Sequence, residues 1–177
     1  MVVERELAKE LAKELESTTM IRFQDCDPFQ HLNNSRYIDY FMNAREDQLN
    51  QFYDSRIFEV FQQTGHSWVV TKNQIAYLAP AVMLEQVVIR TQLIQMTENI
   101  LVVEGIMLDK AGHRLKAVAW IEFTFISLLN GRTANHPEDF MNAFRPARVD
   151  GIFELDGFNR RVDALKAQFR KQPVPQV

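Results

Sequence analysis

The residues from 24 to 35 contain the densest group of polar, reactive side chains in the sequence. They include two aspartates, a cysteine, a histidine and two adjacent asparagines: Asp25, Cys26, Asp27, His31, Asn33 and Asn34. A positioned carboxylate can act as a general base or as a nucleophile. Unpaired backbone N–H groups at the start of a helix can stabilise a developing oxyanion. The segment therefore predicts catalysis of this kind if it lies between a strand and a helix start.

The apolar spacing around this segment predicts a strand before it and a helix after it. Residues 18–24 alternate weakly and predict a first strand. Asn33, Asn34 and Ser35 suit a helix N-cap, and the helix that follows should run for about four or five turns. Its predicted apolar face carries Ile38, Phe41, Met42, Leu49 and Phe52. This helix is the candidate for the one central helix of the fold.

The stretch from Ser67 to Leu129 changes to an apolar period of two and predicts four long antiparallel strands. Turns are predicted at residues 97–99 and 109–112. The helix face and one sheet face must bury each other. We therefore expect an α+β fold in which a curved antiparallel sheet wraps around one central helix.

Two further helices are predicted outside this unit. The N-terminal one places apolar residues four apart, at Val3, Leu7, Leu11 and Leu15. The C-terminal one is amphipathic and carries Phe158, Val162, Leu165 and Phe169. We divide the chain into an N-terminal helix (residues 1–16), a main domain (residues 17–145) and a C-terminal extension with the amphipathic helix (residues 146–177).

Composition and charge argue against several classes of protein. The chain of 177 residues has a formal net charge of −3 and is 46% apolar, as in an ordinary globular domain. This charge gives no long-range attraction to nucleic acid. The N-terminal stretch is charged and lacks an apolar signal region, and no membrane span is predicted. The single cysteine, Cys26, cannot form an internal disulfide, so we expect a cytoplasmic location.

The reactive segment resembles the signature of a known family. The run from Ile21 to Pro28, followed by His31 to Tyr37, is similar to that of the hotdog-fold acyl-CoA thioesterases related to 4-hydroxybenzoyl-CoA thioesterase. That signature is a strand, Asp-x-Asp, a Gly-His-Val-Asn-Asn-like turn and an aromatic residue on the central helix. Weaker similarity continues at Tyr77, Pro80 and Glu85. The resemblance covers residues 18–129 and implies a hotdog fold for the domain at residues 17–145.

The resemblance also implies a reaction and the residues that carry it. The family's catalytic aspartate corresponds to Asp27, which would attack a thioester carbonyl or activate water. A backbone N–H around Asn34 or Ser35 would stabilise the oxyanion, with Asn33 and His31 orienting water or fixing the loop. Asp27, His31, Asn33 and Asn34 are thus the candidate catalytic residues.

The expected substrate is an acyl-CoA or an acyl-carrier-protein thioester. Tyr37 and Phe41 on the central helix are the candidate substrate-binding residues, and neither a cofactor nor a metal is expected. One position departs from the family pattern, because Gln30 stands where the family commonly has glycine. Either the loop geometry differs here or the glycine is dispensable, since glutamine is strained at a positive φ.

Other polar residues in the sequence have simpler interpretations. Asp25 suits a turn acid that accepts hydrogen bonds from local backbone N–H groups. Flanking aspartates should raise the pKa of Cys26 and make its thiol inert. The remaining histidines are expected at the surface: His66, His113 and His136. Five basic side chains are candidates for contacts with coenzyme A phosphates: Lys72, Arg90, Lys110, Arg114 and Lys116.

The exposed edge of a half-open sheet predicts a homodimer or homotetramer with active sites at the subunit interface. Two alternative functions stay open. One is a hotdog dehydratase or hydratase, in which His31 would act with Asp39 or Glu46. The other is a non-catalytic acyl-CoA-binding module, which would keep the pocket without needing the carboxylate of Asp27.

Overall fold

The computed structural model describes residues 11–53, 61, 63–154 and 156–170. The strands are β1 (Glu14–Met20), β2 (His66–Tyr77), β3 (Gln86–Met96), β4 (Ile100–Asp109) and β5 (Leu115–Ser127). The α-helices that lie wholly in these ranges are α1 (Tyr37–Phe52), α2 (Glu138–Phe144) and α3 (Phe158–Arg170). Of the helices described, none is long and apolar enough to span a membrane.

The strands form a five-stranded sheet in the order β1-β3-β4-β5-β2, and every neighbouring pair is antiparallel. The sheet curves around α1, so the predicted α+β hotdog architecture is confirmed. The four strands after the helix and the turns at residues 97–99 and 109–112 also lie where the apolar period predicts them. Strands β1 and β2 are left as the two edges of the sheet.

Helix α1 packs its buried face on the inner face of the sheet. Tyr37, Tyr40, Phe41 and Ala44 meet the inward side chains of β3, β4 and β5, which include Val87, Ile89, Met107, Ala117, Ala119 and Ile121. The predicted helix face was partly wrong, because Phe52 is 46% exposed. Leu49, three residues before it, does pack against the core, so only the end of the predicted face points to solvent.

Glycine is required where α1 crosses β4. A Cβ atom added at Gly105 would lie 2.5 Å from Cδ1 of Phe41, closer than real Cβ contacts. Phe41 is therefore one of the most deeply buried side chains of the core, packed directly on the strand backbone.

The outer face of the sheet is covered by α3, which confirms the predicted amphipathic C-terminal helix. Its buried side chains, Phe158, Val162, Leu165 and Phe169, pack on β3, β4 and β5. Arg161 forms an ion pair with Glu104, which is fully buried in β4 (2.7 Å). Burial on both faces explains why β4 is almost continuously apolar in sequence.

The first strand begins and ends earlier than predicted, since it stops at Met20 and residues 23–25 form a 3₁₀ turn. Residues 14–16 belong to β1 and not to an N-terminal helix, because they pair with β3 from Glu14 opposite Gln92 to Met20 opposite Gln86. Leu15 is buried in the core. Long-range pairing thus overrides the local helix propensity. The predicted helix residues Val3 and Leu7 lie outside the described residues.

His136 is buried, so its predicted surface position was wrong. It lies among aromatic rings, with Trp68, Phe125 and Phe140 within 6 Å between ring centres. The indole N–H of Trp68 donates to Nε2 of His136 (3.0 Å), so Nδ1 carries the proton and donates to the carbonyl of Thr97 (3.2 Å). Burial lowers the pKa of His136, which favours the neutral ring.

Candidate active site

The side chain of Asp27 closes a tight turn over residues 27–31, which we call the Asp27 turn. Its Oδ1 atom accepts the backbone N–H groups of Phe29 (2.9 Å) and His31 (3.0 Å). The backbone N–H of Asp27 donates to the carbonyl of His31 (2.7 Å), which closes the ring. Within the described residues, the second carboxylate oxygen, Oδ2, has no hydrogen-bond donor. The turn therefore fixes the carboxylate and leaves one oxygen free to react.

Gln30 occupies the position where the family commonly has glycine. Its φ is 63°, and its N–H donates to the carbonyl of Asp27 (3.0 Å). The turn thus keeps the left-handed conformation that favours glycine, and glutamine occupies it. A non-glycine residue in this region costs roughly 1 kcal/mol. The glycine is dispensable for forming the turn.

The start of the central helix lies directly after this turn. The side chain of Asn33 caps it, since Oδ1 accepts the N–H (3.0 Å) and hydroxyl (2.9 Å) of Ser35. The short 3₁₀ helix Asn34–Arg36 then leads into α1. Of the two predicted oxyanion donors, Ser35 is therefore occupied by the cap. The N–H of Asn34 has no acceptor in the described part of the chain.

The two predicted substrate-binding residues are both buried core residues in this chain. The hydroxyl of Tyr37 accepts the N–H of Ala81 (3.2 Å), and its ring meets that of Tyr77 edge to face (5.1 Å). Phe41 packs on Gly105. The Tyr77 hydroxyl donates to the carbonyl of Asn34 (3.0 Å), which ties the end of β2 to the helix start. Tyr37 and Phe41 thus pack in the core next to the helix start.

A second loop, residues 78–85, lies along the Asp27 turn and pairs with it. The N–H of Leu32 donates to the carbonyl of Ala81 (2.8 Å), and the N–H of Met83 donates to the carbonyl of Gln30 (2.9 Å). His31 and Val82 form an antiparallel bridge between these bonds. We call this segment the bracing loop, because it fixes the second half of the Asp27 turn.

Lys116 lies under the bracing loop and cannot bind a phosphate at the surface. It is only 3% exposed, and its ammonium group contacts the carbonyl of Pro80 and the carboxylate of Glu85, both at 2.8 Å. Arg90 also forms an ion pair, since its Nε lies 2.7 Å from the carboxylate of Glu16. Three of the predicted phosphate contacts are exposed: Lys72, Lys110 and Arg114.

Tyr40 holds the Asp27 segment from the helix side. Its hydroxyl donates to Oδ2 of Asp25 (2.9 Å) and accepts the N–H of Arg22 (2.8 Å). The prediction that the Asp25 carboxylate accepts local backbone N–H groups is wrong, because its partner is a side chain of α1. Burial is the main cause that raises the pKa of Tyr40. Sequence reasoning missed this contact, since the two residues are fifteen positions apart.

The sequence and the fold of this chain are similar to those of known proteins. Residues 21–144 match the sequence profile described as the thioesterase-like superfamily. This chain belongs to the thioesterase-like superfamily. Membership confirms the predicted family and the predicted enzyme class, a thioesterase. No curated protein matches the sequence.

Solved structures of several thioesterases have the same fold. The probable thioesterase YbaW from Escherichia coli is 23% identical, with a TM-score of 0.66 over 76% of this chain and 99% of its own. The 1,4-dihydroxy-2-naphthoyl-CoA thioesterase Slr0204 from Synechocystis is 15% identical (TM-score 0.66; 75% and 96%). A thioesterase from Thermus thermophilus, complexed with coenzyme A and zinc, is 21% identical (TM-score 0.62; 75% and 92%).

The pKa of the Cys26 thiol is raised in this superfamily member, in the direction that the sequence predicts. Its Sγ–H donates to the carbonyl of Arg22 (3.3 Å). Desolvation raises its pKa, and the negative charges of Asp25 and Asp27 raise it further. A thiol that resists ionisation is a poor nucleophile. Cys26 is therefore a poor candidate for the nucleophile, and Asp27 stays the candidate reactive group of the segment.

A polar cavity of about 480 Å³ lies between β1 and α1. Asp25 and Tyr40 line it, whereas Asp27 does not. Within the described parts of the chain, no three His, Cys, Asp or Glu side chains lie together as a metal site would need. The candidate chemistry is thus at the open Asp27 turn and not in this cavity.

Proposed function

We propose that this thioesterase hydrolyses acyl-CoA esters at Asp27, releasing a carboxylic acid and free coenzyme A. One observation carries the proposal: the Asp27 carboxylate is fixed through Oδ1, and within the described residues neither its Oδ2 atom nor the N–H of Asn34 at the adjacent helix start has a hydrogen-bond partner. The coenzyme A in the similar Thermus thermophilus structure supports a CoA ester as substrate. An acyl-carrier-protein ester has the same reacting bond.

Two routes use this geometry. In the nucleophilic route, Oδ2 of Asp27 attacks the thioester carbon, the C–S bond breaks, and water hydrolyses the resulting anhydride. In the general-base route, Asp27 takes a proton from a water molecule that attacks the same carbon, and the proton passes to the leaving thiolate. In both, the N–H of Asn34 stabilises the oxyanion. Single-turnover hydrolysis in ¹⁸O-labelled water identifies the nucleophilic route if ¹⁸O appears in Asp27, because water that attacks the aspartyl carbon of the anhydride leaves its oxygen there. The general-base route places ¹⁸O only in the product acid.

His31 and Asn33 have supporting roles in this proposal. The backbone N–H of His31 holds Oδ1 of Asp27, and the Asn33 cap fixes the helix start that presents Asn34. Asp39, one acid partner that a dehydratase would need, forms an ion pair with Arg36 (3.2 Å). Hydrolysis therefore accounts for more of the observed contacts than dehydration does.

We also propose a homodimer that covers the site. The edge strand β2 exposes Val69 and Val70, and Phe29 and Val82 expose apolar surface beside the Asp27 turn. A second copy paired along β2 would bury such groups. Light scattering is expected to give at least twice the chain mass of 20.7 kDa, with four times that mass for the homotetramer. A monomer at catalytic concentrations would contradict this assembly.

The activity is tested with a panel of short, long and aromatic acyl-CoA esters, by following thiol release. At least one ester is expected to be hydrolysed with multiple turnovers. Binding of the same esters by calorimetry, without release of thiol from any of them, would contradict hydrolysis and favour the non-catalytic binding module. Acyl-carrier-protein esters in a parallel series define the carrier preference.

A further inference from the structure

Lys116 is a buried cation that the proposed chemistry does not use. It belongs to β5, and its ammonium group lies within 2.8 Å of both the Pro80 carbonyl and the Glu85 carboxylate. The side chain of Glu85 is itself largely buried. Burying an ion pair carries a desolvation cost that a pair of apolar residues would avoid. The position of the Lys116–Glu85 pair under the bracing loop therefore indicates a role besides stability.

The Lys116–Glu85 pair fixes the bracing loop along its length. The N–H groups of Leu78 and Ala79 donate to the backbone carbonyl of Lys116 (2.8 and 3.1 Å). The second carboxylate oxygen of Glu85 accepts the N–H of Val82 (2.9 Å). One residue of β5 and one carboxylate therefore hold the beginning, the middle and the end of this loop.

The bracing loop passes this constraint to the Asp27 turn. Its residues 81–83 contact Gln30, His31 and Leu32 through two backbone hydrogen bonds and a β-bridge. His31 in turn supplies one of the two N–H groups that hold Oδ1 of Asp27. A contiguous series of polar contacts thus runs from Lys116 to the candidate catalytic carboxylate.

We infer that Lys116 is a positioning residue for Asp27, acting through Glu85 and the bracing loop. This inference rests on the proposed hydrolysis. Small displacements of a reacting group cost large factors in rate, about a hundredfold for 1 Å. A loosened loop would misplace Asp27 in the reacting complex without removing any side chain of the Asp27 turn. Loss of Lys116 is therefore expected to lower kcat more than it raises KM.

Three variants test this inference. Lys116→Met removes the cation and leaves Glu85 buried without its partner, so kcat and stability both fall. The double variant Lys116→Met/Glu85→Gln removes both charges, so stability recovers while kcat stays reduced by roughly tenfold or more. Lys116→Arg keeps a charged donor and is expected to restore much of kcat. Recovery of kcat together with stability in the double variant would overturn the inference.

Arg161→Met provides a matched control on the opposite face of the sheet. It also breaks a buried ion pair, with Glu104, but none of the contacts described above connects this pair to the Asp27 turn. At a temperature where it is folded, its kcat is expected to equal that of the wild type. A similar loss of kcat in Arg161→Met would show that any destabilisation lowers activity, which also overturns the inference.

Amide hydrogen exchange separates this inference from the proposed function. In the double variant, exchange at Leu32 and Met83 should accelerate relative to exchange in α3. If the wild type hydrolyses esters and neither kcat nor this exchange changes, the inference fails and the proposed function stands. If the wild type hydrolyses no ester, the proposed function fails and the positioning role fails with it.

Discussion

Two aspartates of this chain anchor turns of nearly the same construction, yet their surroundings differ. The Oδ1 atom of Asp27 accepts the backbone N–H groups two and four residues further on, at 2.9 and 3.0 Å. The Oδ1 atom of Asp109 accepts those four and five residues further on, at 2.7 and 3.0 Å. A carboxylate satisfied by backbone N–H groups is therefore a device for closing a turn, and it does not by itself define a catalytic site.

The resemblance extends to the residue three positions after each aspartate. Gln30 and Gly112 both donate their N–H to the aspartate carbonyl, at 3.0 and 2.9 Å. Both have a positive φ, 63° for Gln30 and 73° for Gly112. The hairpin turn thus uses glycine for this conformation, whereas the Asp27 turn accommodates glutamine.

The two turns differ in what lies next to them. The Asp109 turn joins the adjacent strands β4 and β5 and ends there. The Asp27 turn leads into the capped start of α1 and is held by the bracing loop. It lies beside the N–H of Asn34, which has no acceptor among the residues that the structure describes. The adjacent helix start and the proposed oxyanion donor thus distinguish the Asp27 turn as the catalytic candidate.

The largest effect short of removing the carboxylate is expected from Asn34→Pro. Proline deletes the proposed oxyanion donor, and the first helical position tolerates it. Asn33 already has extended dihedral angles, which suit a residue before proline. Loss of one oxyanion donor should lower kcat by about 10² to 10³. The decrease is measured by thiol release at saturating ester.

Asn34→Ala is the control for this prediction, because it changes the side chain and keeps the backbone N–H. It should retain nearly all of the activity. Equal activity of Asn34→Pro and Asn34→Ala would show that this N–H is not the oxyanion donor. The Asp27 turn would then lack the feature that most distinguishes it from the Asp109 turn.

Exchanging the residue types at Gln30 and Gly112, three positions after each aspartate, should shift the free energy of unfolding in opposite directions. Gly112→Gln is expected to destabilise the hairpin by about 1 kcal/mol, because glutamine must adopt the left-handed conformation. An added Cβ at this position meets only Nη2 of Arg90, at 3.9 Å. Gln30→Gly should stabilise by about 0.5 kcal/mol, since released strain is partly offset by chain entropy. Urea unfolding measures both changes, and shifts of the same sign would refute the shared geometry.

The smallest expected effect concerns the thiol beside the Asp27 turn. The charge of Asp27 helps to raise the pKa of Cys26, so Asp27→Asn should lower that pKa and increase the thiolate fraction near pH 8. Alkylation by iodoacetamide should accelerate by roughly twofold. Asp109→Asn should leave the rate unchanged. An unchanged rate in Asp27→Asn would indicate that the carboxylate lies further from the sulfur than the structure places it.

Much of the fold could be predicted from local patterns. The period of two in β3 and β5 and the helical spacing of α3 reflect which side chains are buried, and burial follows directly from sequence spacing. The start of β1 could not be predicted in this way. Glu14 to Glu16 have good helix propensity, and only their pairing with a strand more than seventy residues away makes them a strand.

The site was predictable where it depends on neighbouring residues and unpredictable where it depends on distant ones. Asp27 and the Asn33 cap are contained in one short motif, so sequence was sufficient to place them together. The contacts of Tyr40 with Asp25 and of Lys116 with Glu85 cross between elements. Nothing in the sequence marks Lys116 as buried, because lysine on a strand is usually solvated.

The most direct test of the account measures thiol release by Asp27→Asn and Asp109→Asn side by side. Each variant keeps an Oδ1 acceptor for its turn and removes only the negative charge. The account predicts that Asp27→Asn loses about a hundredfold or more of kcat and that Asp109→Asn stays within about twofold of the wild type. Equal activities of the two variants, with both chains folded, would contradict a catalytic role for Asp27.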